Sequence, residues 1–112
     1  MNEIKSEVLK YIQSNPGTSY VEIERLFEAK EFDYNGSFDI CNNQNKNIVF
    51  WSGWNTEAIN VLSELKREMK IKEKAASQLI YFIDGKVLDL PPVTGAYNYK
   101  TRHWLPITFN VV

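Results

Sequence analysis

Apolar positions recur at helical spacing in three stretches of the chain. Over residues 2–14, Ile4, Val8, Leu9, Tyr11 and Ile12 fall on one side of a helix. Asn15-Pro16-Gly17 stops that helix by ordinary turn chemistry. Ser19 and Glu22 then have the spacing of a capping box, which predicts a second helix to about Lys30 with Tyr20, Ile23, Leu26 and Phe27 inward. The third helix follows an apolar run, Ile48-Val49-Phe50-Trp51, whose β-branched and aromatic content is that of a buried strand. Ser52-Gly53 breaks the run. Asn55 or Thr56 can cap the helix, with Glu57 in the first turn where the helix dipole favours a negative charge. Ile59, Leu62, Leu65, Lys66 and Met69 recur at helical spacing, so one face is apolar except at Lys66.

Elsewhere the pattern alternates or breaks. Phe32, Tyr34, Phe38 and Ile40 fit an extended segment, and Asn35-Gly36 is a turn signal. The polar stretch 42–47 is the expected tip of a hairpin joining Phe38–Ile40 to Ile48–Trp51. After the third helix, Lys70–Lys74, Gln78–Ile83 and Lys86–Leu90 are expected strands, with Asp84-Gly85 as a hairpin turn. Pro91-Pro92 ends the last of them, because proline cannot donate to the ladder. Three helices followed by a basic hairpin is the winged-helix order. The expected fold is therefore α+β: a winged helix-turn-helix over residues 1–92, with an insertion between the second and third helices. Residues 93–112 show no helix pattern and are expected to form an extended or disordered C-terminal tail.

Composition narrows this little. At 112 residues, 44% hydrophobic and 24% charged, one globular domain is expected. No run approaches a membrane helix and the N-terminus lacks a signal peptide's apolar segment. The single cysteine, Cys41, forbids an internal disulfide, lies among asparagines and has no evident basic partner. A cytoplasmic protein without membrane contact is expected.

Net charge is −1, yet its distribution is uneven. Residues 1–45 hold four cations and eight anions, whereas residues 46–112 hold nine cations and six anions. The second part is the candidate anion-binding region. There Lys66, Arg67 and Lys70 gather at the end of the third helix, and Lys72 and Lys74 alternate on one face of the next strand. Lys46 at the hairpin tip is a further candidate. The plainer reading of these lysines is a solvated face with dipole compensation. Aromatic residues beside positive charge suit single-stranded nucleic acid, where bases stack and lysines neutralise phosphates. Phe50, Trp51, Trp54 and Tyr81 are expected to build an apolar pocket near the start of the third helix. Alternation along the strand would bury only one of Trp51 and Trp54; core packing is the competing reading for either.

An enzyme is not expected. His103 is the only histidine, no Cys/His cluster has metal-ligand spacing, and the five glycines are scattered. No catalytic residue, metal or cofactor is therefore assigned. In the tail, Tyr97, Tyr99, Lys100, Arg102, His103, Trp104, Leu105 and Pro106 have the character of a linear motif for a protein partner.

Four segments carry a resemblance: EVLKYIQSNPGTSYVEIERLF (7–27), VFWSGWN (49–55), LIYFIDGKVLDLP (79–91) and HWLP (103–106). In these the chain is similar to the small winged-helix single-stranded DNA-binding proteins encoded by staphylococcal cassette chromosome elements. The resemblance implies a winged-helix fold, binding to single strands, and an apolar pocket unusual for that fold. It also implies a C-terminal tail for a replication or transfer protein, and a role in replication or transfer of a mobile genetic element. The functional expectation is sequence-tolerant single-stranded DNA binding, with self-association on DNA as a further option. The alternatives are a double-stranded DNA-binding winged-helix regulator and a protein-interaction module without nucleic acid. The third helix argues against base-edge reading of a duplex, since Glu57 and Glu64 would repel flanking phosphates.

Overall fold

The computed structural model describes residues 2–112. Helices α1 (Asn2–Ser14) and α2 (Tyr20–Ala29) come first. Ile4, Val8 and Ile12 form the buried stripe of α1, and Gly17 takes the turn at φ +79°. Ser19 caps α2 by accepting the Glu22 N–H at 3.1 Å. The carboxylate of Glu22 accepts from the Tyr11 hydroxyl instead of returning to the cap, so only half of the capping box forms.

Strands β1 (Asn35–Cys41) and β2 (Ile48–Trp54) are the antiparallel hairpin expected around the polar loop. Asn35-Gly36 is no turn: it opens β1, where the chain crosses the junction of β2 with the next helix. A Cβ on Gly36 would lie 2.6 Å from the Trp54 oxygen and the Asn55 nitrogen, so only glycine fits. Helix α3 (Thr56–Arg67) buries Ala58, Val61, Leu62 and Leu65, and Asn55 caps it through the Ala58 N–H at 2.9 Å. The chain leaves α3 before Met69, which takes a left-handed φ of +59° and lies exposed rather than on the apolar face.

Beyond α3 the structure departs from the expected wing. Strand β3 (Ile71–Ala75) is present, but Gln78–Ile83 belongs to helix α4 (Gln78–Asp84) and Lys86–Leu90 is not a strand. Ser77 caps α4 through the Leu79 N–H, and Gly85 closes it at φ +90°. A serine before and a glycine after this seven-residue segment are helix start and stop signals that override the β propensity of its apolar centre. Asp84-Gly85 is accordingly a helix end and not a hairpin turn.

The partner of β3 comes from the far end of the chain. Strand β5 (Ile107–Val111) pairs antiparallel with β3, with Lys72 opposite Asn110 and Lys74 opposite Thr108. Phe109 also exchanges backbone hydrogen bonds with Thr18 on the other edge of β5. The short β4 (His103–Trp104) runs parallel to β2, completing a sheet ordered β1-β2-β4. The expected free tail over 93–112 is thus corrected. Trp104, Ile107 and Phe109 are among the most buried side chains, joining Tyr20, Phe27 and Leu65 in one core. Pro106 fits because it lies between β4 and β5, where no ladder N–H is required, and its carbonyl accepts from Ala76 at 2.9 Å. Among the described residues the architecture is α+β, with four helices, a three-stranded mixed sheet and a two-stranded ribbon. No helix among the described residues is long and apolar enough to cross a membrane.

Candidate nucleic-acid interface

The expected aromatic pocket is filled by the protein itself. Trp51 and Trp54 are 1% and 0% exposed, and Phe50 and Tyr81 are buried with them. Both tryptophans point inward because β2 carries extra residues against β1. Phe38 faces Trp54 while Asp39 faces Ser52, which leaves Gly53 unpaired at φ +88°. A bulge of this kind shifts the alternation by one, so that residues three apart reach the same side. A second shift between Ile40 and Cys41 lets Val49, Phe50 and Trp51 all be buried.

Tyr20 is the centre of the packing. Its ring stacks on Trp51 at 6.0 Å and meets Trp54 and Phe109 edge-on at 5.4 and 5.1 Å. Burial raises its hydroxyl well above the ordinary tyrosine range. Burial likewise raises the Tyr81 hydroxyl, which donates to the Ile107 carbonyl at 2.6 Å and accepts from the Tyr20 N–H at 3.2 Å. The polar hub is Glu24, only 3% exposed. One of its oxygens accepts both indole N–H groups, from Trp51 and from Trp54, each at 2.8 Å. The other accepts from Lys86 at 2.6 Å. A buried carboxylate with three donors is satisfied and fixes both indoles.

Phe50, Trp51, Trp54 and Tyr81 are therefore corrected from a binding pocket to core. The depression actually present at the start of α3 is lined by Asp33, Phe38, Asn55, Thr56 and Glu57, with a volume of about 460 Å³. Its two carboxylates disfavour phosphate. Because all three tryptophans are enclosed, their fluorescence is expected to be blue-shifted and unchanged when oligo-dT saturates the protein. Quenching of more than about a tenth of the signal would place an indole on the binding surface.

The basic residues divide into paired and open groups. Lys66 contacts Glu73, and Lys70 lies 3.7 Å from Glu68. Lys5 reaches Glu64 at 3.2 Å and Glu68 at 2.9 Å. Arg67, Lys72 and Lys74 are exposed and have no carboxylate in ion-pair range among the described residues. Lys72 and Lys74 share the outer face of β3, whereas Glu73 between them turns to the inner face. Lys46 is elsewhere. It belongs to the 42–47 loop, where Asn45 and Asn47 hold the Tyr99 carbonyl at 3.3 and 3.0 Å.

The residues assigned to a partner-binding tail are mostly committed to the fold. Tyr99 is buried; its hydroxyl accepts from Thr94 and Gly95 and donates to the Gly95 carbonyl. Arg102 pairs with Asp39 at 2.5 Å. The His103 ring lies 4.3 Å from that of Tyr99, with Nδ1 2.8 Å from the Thr101 carbonyl. Trp104 donates to the Phe50 carbonyl at 3.2 Å, Leu105 donates its backbone N–H to Val49, and Pro106 is buried. Tyr97 and Lys100 remain on the surface. Burial, and then the Asp39 carboxylate, push the Cys41 thiol upward, away from a reactive thiolate.

Two features escaped sequence reasoning. Glu24 lies at helical spacing from Tyr20 and Phe27 on the inward arc of α2, and a carboxylate on such a face needs partners. The outward apolar stripe of α4 was hidden by assigning that segment to a strand. No family model, curated protein or solved structure matches the chain.

Proposed function

We propose that the chain binds single-stranded DNA with little sequence preference, as a variant winged-helix protein gripping the phosphate backbone on the outer face of β3. The observation that carries this reading is the pair Lys72 and Lys74 on one face of β3, exposed and without carboxylate partners among the described residues, with Arg67 likewise exposed and unpartnered at the end of α3. In the winged-helix comparison, α1, α2 and α3 are the helical part and the β3–β5 ribbon is the wing. The wing's second strand is then supplied after residues 76–106 instead of by a tight turn. A two-stranded support holds the backbone of Lys72 and Lys74 with both side chains on one face, so phosphate contacts order the side chains alone.

Backbone binding suits this surface better than duplex reading. The outward positions of α3 offer Thr56, Glu57, Asn60 and Ser63, and Glu64 is occupied by Lys5. An acidic first turn at a groove opposes phosphate approach. The resemblance to cassette-encoded proteins supplies the setting we propose, replication or transfer of a mobile element.

The test is titration with oligo-dT and with duplex of equal length at two salt concentrations. Oligo-dT is expected to bind more tightly. Lys72→Ala/Lys74→Ala should lose roughly tenfold in affinity for every sequence alike, and the log–log salt slope should fall by roughly 1.4. A folded double variant that binds as wild type would reduce these lysines to a solvated face. Tighter binding to duplex would favour the regulator reading.

A further inference from the structure

The tip of the β1–β2 hairpin and the loop before β4 are joined at one carbonyl. The Tyr99 oxygen accepts from the side chains of Asn45 at 3.3 Å and Asn47 at 3.0 Å. Lys46 lies between those asparagines and Lys100 follows Tyr99, so the two lysines flank the junction. Both are exposed, with no carboxylate in ion-pair range among the described residues. Arg102 is close as well: burial raises the Cys41 thiol, and the nearby charges of Arg102 and Lys46 oppose the rise. Residues 40–47 and 90–103 contain no Asp or Glu, and the Asp39 carboxylate is taken by Arg102. The junction is therefore positive in a chain whose net charge is −1.

An aromatic ring stands beside these cations. Tyr97 is 68% exposed, yet its ring is held. It meets the Tyr99 ring edge-on at 5.9 Å, and its backbone N–H donates to the Gly95 carbonyl at 3.0 Å. A Cβ on Gly95 would lie 2.9 Å from the Tyr97 ring, so the ring rests against the glycine. Tyr99 is fixed in turn, by its hydroxyl on the backbone of Thr94 and Gly95 and by the His103 ring at 4.3 Å. A ring braced in this way loses little freedom when a ligand covers it.

We propose that Tyr97 is a base-stacking platform for single-stranded DNA, with Lys46 and Lys100 on the flanking phosphates. An open aromatic face beside cations matches both components of a single strand, the unpaired base and the backbone charge. A duplex keeps its bases stacked on one another, and an acidic peptide would engage the lysines and leave the ring bare. The proposal rests on the single-strand reading and deepens it. The β3 lysines grip phosphate alone and the enclosed tryptophans offer no base contact, which this junction supplies.

Titration of the full chain with oligo-dT, with an abasic deoxyribose-phosphate strand of equal length and with polyglutamate tests it. Tyr97→Ala should lose roughly tenfold in affinity for oligo-dT and nothing for the other two, at an unchanged salt slope. Tyr97→Phe should bind as wild type, because the ring and not the hydroxyl stacks. Lys46→Ala/Lys100→Ala should weaken oligo-dT and the abasic strand alike and lower the log–log salt slope by roughly 1.4. Thermal melts of these variants should match wild type, since all three side chains are exposed. Tyr97→Trp adds a surface indole whose fluorescence oligo-dT should quench and the abasic strand should not. A wild-type chain that binds oligo-dT while Tyr97→Ala binds equally well overturns the platform and leaves the single-strand reading standing. A wild-type chain that does not bind oligo-dT overturns both. Equal losses for oligo-dT and polyglutamate in Tyr97→Ala would reduce the junction to an anion patch and overturn the stacking role.

Discussion

Truncation after Pro92 is expected to yield a chain that does not fold. The deletion removes β4 and β5, and with them Trp104, Ile107 and Phe109, which are 1%, 2% and 0% exposed. Loss of one such buried side chain costs roughly 2–5 kcal/mol, and three losses together, roughly 8–15 kcal/mol, are comparable to the whole stability of an ordinary domain, about 5–15 kcal/mol. The backbone loses as well. Strand β3 would be left without its ladder, Thr18 without the Phe109 groups it pairs with, and the Tyr81 hydroxyl without the Ile107 carbonyl. Circular dichroism of the 1–92 fragment should show no cooperative melt. A folded fragment would mean that the helices and the β1–β2 hairpin form a core on their own.

The second large effect is expected at Glu24. Replacement by alanine leaves two indole N–H groups without an acceptor and Lys86 without its anion. Leaving a buried donor unsatisfied costs about 1–3 kcal/mol for each indole. Glu24→Gln should recover part of this, because one carbonyl oxygen can still accept both indoles while Lys86, with a side chain 53% exposed, turns to water. Urea melts of wild type, Glu24→Ala and Glu24→Gln should therefore rank in the order wild type, Gln, Ala. Equal losses in the two variants would show that the ion pair with Lys86, and not the indole acceptor, carries the stability. Near-UV circular dichroism gives a second readout, since the hub fixes two of the three tryptophans.

What the sequence revealed and what it concealed have a common physical cause. Helices α1, α2 and α3 and the β1–β2 hairpin rest on contacts between near neighbours, such as Ser19 with Glu22 and Asn55 with Ala58. Local periodicity and cap chemistry expose such elements. The β3–β5 pairing joins Ile71 to Val111, and nothing within either segment names the other. Helix α4 was obscured by composition: the β propensity of Leu-Ile-Tyr-Phe-Ile outweighed its flanking Ser77 and Gly85. At the candidate site, the lysines of β3 were legible from alternation alone. The fate of Trp51 and Trp54 was not, because a single bulge at Gly53 reverses the parity that alternation assumes. Glu24 would have been found by asking which acidic residue falls on an apolar arc.

The ribbon has a further consequence for handling and for evolution of the chain. Strand β3 pairs on one side with β5, and no strand among the described residues covers its other side. An open strand edge is a template for stacking chain upon chain into filaments, and lysines on an edge are a common deterrent. Lys72 and Lys74 are thus placed to oppose stacking whether or not they touch phosphate, and the register shifts of β1 are a comparable device in the other sheet. Substitutions that neutralise β3 with valine or isoleucine would combine high strand propensity with an unguarded edge. Loss of solubility in such variants would mimic loss of ligand. Selection acting on either property would preserve the same two side chains.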